Sequence, residues 1–174
     1  MSPRRTSYAA LFVALGLTGA YAETIPNFEV LSLVAFSAGL LLGAGDGAWV
    51  GGLTMLIYTL LNPYGTAPPL VMGSQVLGLT VTGATGGWLG AAGLGRLPVA
   101  PRAVALGLAG IGLTFFFDLI TNAATGLLFG SVRLALIGGL PFALWHIATN
   151  TALFAVVGTP VAGVLESYRS RLSS

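Results

Sequence analysis

Apolar stretches separated by short breaks run through almost the whole chain, and this alternation most narrows what it can fold into. The stretches cover residues 7–21, 29–43, 47–61, 70–91, 104–128 and 141–165. The breaks fall at 22–28, 44–46, 62–69, 93–101 and 129–140, and hold most of the prolines. Only 7% of the 174 residues are charged, against about 25% in soluble domains. Such a chain cannot coat itself in water-binding groups, so its outer surface is expected to face hydrocarbon. That excludes a soluble enzyme and a disordered chain. A nucleic-acid reader needs its basic residues gathered on one face, and the seven arginines here are scattered along the sequence.

The expected fold class is therefore an all-α integral membrane protein, a single six-helix transmembrane domain over residues 1–174. A spanning helix takes roughly 17–25 residues, so the first three stretches are short and must be tilted, shortened or partly re-entrant. The first 25 residues also admit a second reading. Arg4 and Arg5 precede an apolar run, and Ala20-Tyr21-Ala22 has the form of a signal-peptidase site. Cleavage there would leave five spans and upset the charge pattern, which favours retention. With the N-terminus cytoplasmic, Arg4, Arg5, Arg96, Arg102, Arg169 and Arg171 fall inside and Arg133 alone outside. Both termini are accordingly placed in the cytoplasm, and the protein in the plasma membrane as a multi-pass protein.

Small residues supply the expected packing surfaces. Gly83 with Gly87, and Gly86 with Gly90, repeat at four-residue spacing on the fourth helix and predict close internal helix contact. Ala10, Ala14, Thr18 and Ala22 form a similar stripe on the first helix. That stripe serves either internal packing or a partner protein.

Polar side chains at membrane depth are costly and face a cavity or one another. Asp118 and Asn122 lie four apart on the fifth helix, and His146 and Asn150 four apart on the sixth beside Trp145, so each pair shares a face. Gln75 lies on the fourth. At roughly 1.5 Å per residue, Gln75 lies about 9 Å in from Pro69, His146 about 8 Å and Asn150 about 14 Å in from Pro141. Asp118 and Asn122 lie about 15 and 9 Å in from the outer end of helix five. The five groups share the outer leaflet, as an outward-facing pocket for a small polar molecule would require. The competing reading pairs Asp118 with His146 and Asn122 with Asn150 as interhelical glue. Catalysis and metal binding are not expected. Asp118 is the only acid deep in a span, Ser74 is the only nucleophile candidate at that depth, and one His with one Asp falls short of a metal set. No cofactor fingerprint or P-loop occurs.

At these residues the chain resembles the substrate-binding S components of energy-coupling factor (ECF) vitamin transporters. The resemblance rests on six short helices, Ile25-Pro26-Asn27-Phe28-Glu29 leading into helix two, and the Pro63-to-Gln75 run. It rests further on Phe117-Asp118-Leu119-Ile120-Thr121-Asn122 and on Gly139-Leu140-Pro141-Phe142 with His146 and Asn150. It implies uptake of a vitamin-like micronutrient together with a transmembrane coupling subunit and two cytoplasmic ATPases. It implies that Ala10 and Ala14 dock on the coupling subunit. Gln75, Asp118, Asn122, His146 and Asn150 would then hydrogen-bond substrate, with Trp145 or Tyr64 as an aromatic face. The lack of a deep basic residue suits a neutral or weakly cationic heterocycle. A scaffold of the cell-envelope machinery, or a solitary transporter, are the rival readings.

Overall fold

A computed structural model describes residues 2–22 and 29–172. The Ile25-Pro26-Asn27-Phe28 stretch lies outside them. Among the described residues every regular element is helical: α1 (Pro3–Tyr21), α2 (Leu31–Leu42), α3 (Ala44–Leu60), α4 (Pro69–Ala91), α5 (Val99–Leu128), α6 (Val132–Val156) and α7 (Gly158–Leu172), with one 3₁₀ turn at Leu94–Arg96. Helices α5 and α6 are long and apolar enough to cross a membrane.

The helix ends follow local chemistry. Ser2 caps α1 by accepting from the Arg5 N–H, and Ser131 caps α6 by accepting from Leu134. Proline opens α4 at Pro69, where a missing N–H costs nothing. The expected break at 44–46 is instead a single residue: Gly43, at φ 93°, turns the chain between α2 and α3, a conformation that a side chain resists.

Seven helices stand where six spans are expected. The stretch 129–140, with three glycines and Pro141 directly after it, reads as a loop, yet α6 begins at Val132 and carries Pro141 inside it. Apolar neighbours on both sides favour continuing the helix, which costs the one hydrogen bond that Pro141 cannot donate. The real interruption comes at Val157, because Pro160 has no N–H for the Val156 carbonyl. The expected sixth span, 141–165, is therefore divided between α6 and α7.

Helix α2 is the centre of the bundle, with ten of its twelve residues buried. Glycines let α3 and α4 approach it backbone to backbone. A Cβ on Gly39 (α2), Gly47 (α3) or Gly83 (α4) would fall on backbone atoms of a facing helix, and one on Gly87 would meet Ala44. The expected small-residue contact of α4 is thus an internal seam. A second seam joins α5 to α6, where Gly126 lies against Val132, Gly139 against Asn122 and Gly110 against Asn150. Between the two units run larger side chains: Leu33, Phe36 and Leu40 meet Leu106, Leu113 and Phe154. Phe36 and Phe154 pack edge to face at 5.2 Å.

Outside the core the surface is apolar on all sides, with Trp49, Trp88, Phe129 and Phe142 exposed. Charge gathers at one end of the bundle. Arg5 donates to Asp46 and to the Leu42 carbonyl, Arg96 pairs with Glu166 at 2.6 Å, and Arg102 donates to the Leu97 and Thr159 carbonyls.

Candidate functional site

The antiparallel pair α5 and α6 carries Asp118 and His146 at the same level. His146 Nδ1 lies 2.9 Å from Asp118 Oδ1. An ionised carboxylate only accepts, so the imidazole N–H stands on Nδ1. One turn further along α6, Asn150 Nδ2 donates to Glu29 Oε1 at 3.3 Å. Glu29 precedes α2, and its other oxygen accepts from the Ser32 N–H at 2.9 Å, closing the first turn of that helix. Glu29 Oε1 also lies 3.6 Å from His146 Nε2, beyond hydrogen-bond reach.

Burial makes this group unusual. Asn150 is 0% and His146 6% exposed, and the side chains of Glu29 and Asp118 are each 14% exposed. Among the described residues, three of the buried polar atoms have no hydrogen-bond partner: Asp118 Oδ2, His146 Nε2 and Asn150 Oδ1. Leaving such atoms unsatisfied costs roughly 1–3 kcal/mol apiece. Phe117 closes one side, with its ring edge to face against His146 at 6.1 Å. Gly78 on α4 makes room for that ring, since a Cβ there would strike it.

The expected site residues separate into two sets. Asp118, His146 and Asn150 converge, together with Glu29. Gln75 is occupied instead by Thr59 of α3, whose hydroxyl donates to Gln75 Oε1 at 3.0 Å. Asn122 packs against Gly139, and the pairing of Asn122 with Asn150 is replaced by the Glu29–Asn150 bond. Trp145 is 50% and Tyr64 91% exposed, the latter in the α3–α4 loop where its N–H donates to Asn62 Oδ1. Ser74, the one nucleophile considered, donates to the Val71 carbonyl of its own helix at 2.7 Å.

Two expectations need correction. Asp118, expected as the only acid deep in a span, is joined at the site by Glu29 from just before α2. Depth also changes, since α6 starts at Val132. His146 then lies 14 positions, about 21 Å, from the start of its helix rather than about 8 Å. Asp118 keeps its place, ten positions or about 15 Å from the end of α5.

The α1 stripe is exposed along its length. Ala10, Ala14, Thr18 and Ala22 face outward, while Gly16 and Ala20 face the bundle. Ala10 and Ala14 line an apolar groove of about 530 Å³ shared with Trp49 and Leu53 of α3. Internal packing therefore does not account for the stripe.

No family model matches the chain, and no curated protein matches its sequence.

Proposed function

We propose that this is a multi-pass membrane protein with both termini cytoplasmic. In this reading it captures a vitamin-like micronutrient at the outer side for a separate transmembrane coupling subunit and two cytoplasmic ATPases. The observation that carries the reading is the buried group of Asp118, His146, Asn150 and Glu29, with three polar atoms unsatisfied. A few oriented polar groups inside apolar walls are the usual means of small-molecule selection. The exposed apolar belt and the two membrane-length helices support a bilayer setting. The arginine cluster at one end supports the orientation. The uncovered Ala10 and Ala14 stripe supports a docked partner.

A membrane scaffold draws on the same bonds, since Asp118–His146 ties α5 to α6 and Glu29–Asn150 ties α2 to α6. Mass spectrometry of small molecules released from protein purified in detergent separates the two. The transport reading expects one compound near equal stoichiometry, lost from the Asn150→Ala variant. Stable, monodisperse protein carrying no such compound, in cells that take up every micronutrient normally without it, would leave the scaffold standing.

A further inference from the structure

The four acids among the described residues divide by position. Asp46 is paired with Arg5 and Glu166 with Arg96, both at the charged end. Glu29 and Asp118 converge instead on one imidazole, and no arginine of α5 or α6 is close. Arg133 is 13 positions from His146 along α6, about 20 Å, and Arg102 is 16 positions from Asp118 along α5, about 24 Å. Two carboxylates thus outnumber the single imidazole in either of its charge states. Negative charge buried without a full counter-charge is costly and is relieved by a proton or by a bound cation, and the second is a counter-charge that the described side chains leave open.

The unpartnered atoms say what form that cation takes. Asp118 Oδ2 and Asn150 Oδ1 accept hydrogen bonds and cannot donate. Asn150 is fully buried, and its amide is oriented by the bond from its nitrogen to Glu29, which leaves the carbonyl oxygen for another donor. A molecule satisfying both acceptors must bring at least two donor hydrogens, and on an organic cation the charged nitrogen supplies them as N–H. An anionic ligand would meet like charge, and a neutral one would leave the carboxylates uncompensated.

We propose that this site binds a small organic cation bearing at least two N–H donors, with Glu29 and Asp118 as its counter-charges and Asn150 Oδ1 as an oriented acceptor. The inference rests on the substrate-capture reading above and narrows it from a neutral or weakly cationic ligand to a cation. It also adds Glu29 to the binding residues.

Benzamidinium, benzamide and benzoate are near-isosteric probes of charge +1, 0 and −1. Each is titrated against the full chain in detergent while the thermal midpoint is followed. Benzamidinium is expected to stabilise the protein and to bind about tenfold tighter than benzamide, a difference of about 1.4 kcal/mol, while benzoate has no effect. Glu29→Gln keeps an acceptor for Asn150 and removes the charge, so it should abolish the preference without unfolding the protein. Asp118→Asn gives a second variant with the same expectation. Equal responses to the three probes, nil included, overturn the proposal, as does a preference that persists in both variants. A neutral or anionic compound found bound in the mass-spectrometric experiment would also overturn it while leaving substrate capture intact.

Discussion

Glu29 and Asn150, 121 positions apart in the chain, are joined by a hydrogen bond that fixes the start of α2 to the middle of α6. One carboxylate does two jobs: Oε1 accepts from Asn150, and Oε2 accepts from the Ser32 N–H at the first turn of α2. Glu29→Ala removes both acceptors and leaves a buried amide unsatisfied. The expected loss of apo stability is about 1–3 kcal/mol, read from thermal unfolding in detergent. Glu29→Gln should recover at least half of it, and equal loss in both variants would show that shape rather than hydrogen bonding matters there.

Ligand affinity should depend on the same group. Asn150→Ala and His146→Ala are each expected to weaken binding of the co-purifying compound about fivefold to more than a hundredfold, from roughly 1–3 kcal/mol of lost interaction. Isothermal titration gives the affinity, and apo thermal midpoints give the accompanying stability change. Unchanged affinity with a large drop in apo stability would return the cluster to the role of interhelical glue.

The glycine seam makes a sharp contrast between two alanine substitutions. Gly83→Ala drives a methyl group into the Gly47 carbonyl and should destabilise by about 1–3 kcal/mol. Gly112→Ala meets nothing within 4 Å and should leave stability unchanged or raise it by up to about 1 kcal/mol. Indistinguishable unfolding curves for the pair would mean that α3 and α4 are not in backbone contact.

Bulk on the exposed stripe should cost transport without costing the fold. Ala10→Leu and Ala14→Trp point away from the bundle, so thermal midpoint and ligand affinity should stay near wild type. Uptake by cells should fail because close helix approach by a partner is blocked. If stability and uptake fell together, α1 would be using that face internally.

Orientation is open to reporter fusions. A reporter after Ser174 should signal cytoplasm, and one in the loop 62–69 should signal the outside. The opposite pair of signals would reverse the placement of the arginine cluster and put the site on the inner half.

Helical character and the partnership of α5 with α6 were legible because apolar run length and four-residue spacing are local properties. Asp118, Asn122, His146 and Asn150 each lie on the expected helix, and the Asp118–His146 bond is among the pairings weighed. Glu29 was missed for a physical reason. It sits at a helix start, outside any periodic face, and reaches the site through contact with a helix more than a hundred residues later. Its sequence signals were scarcity, since only five acids occur in the chain, and its place at the end of the Ile25-to-Glu29 run that leads into helix two. The depth of His146 was misjudged because Pro141 reads as a helix start, whereas the helix runs through it. Gln75 shows a different limit: its Thr59 partner follows from how α3 meets α4, which spacing on α4 does not encode.

The two glycine seams mark a block of α2, α3 and α4, where backbones meet, and a block of α5 and α6. The junction between blocks is made of side chains such as Phe36 and Phe154, fully buried and packed edge to face. Glu29 belongs to the first block, and Asp118, His146 and Asn150 to the second. The polar group is therefore built across the junction of the two blocks, like the two halves of a calliper. Any shift between the blocks would act on the Glu29–Asn150 bond, whereas the Asp118–His146 bond lies wholly within one of them.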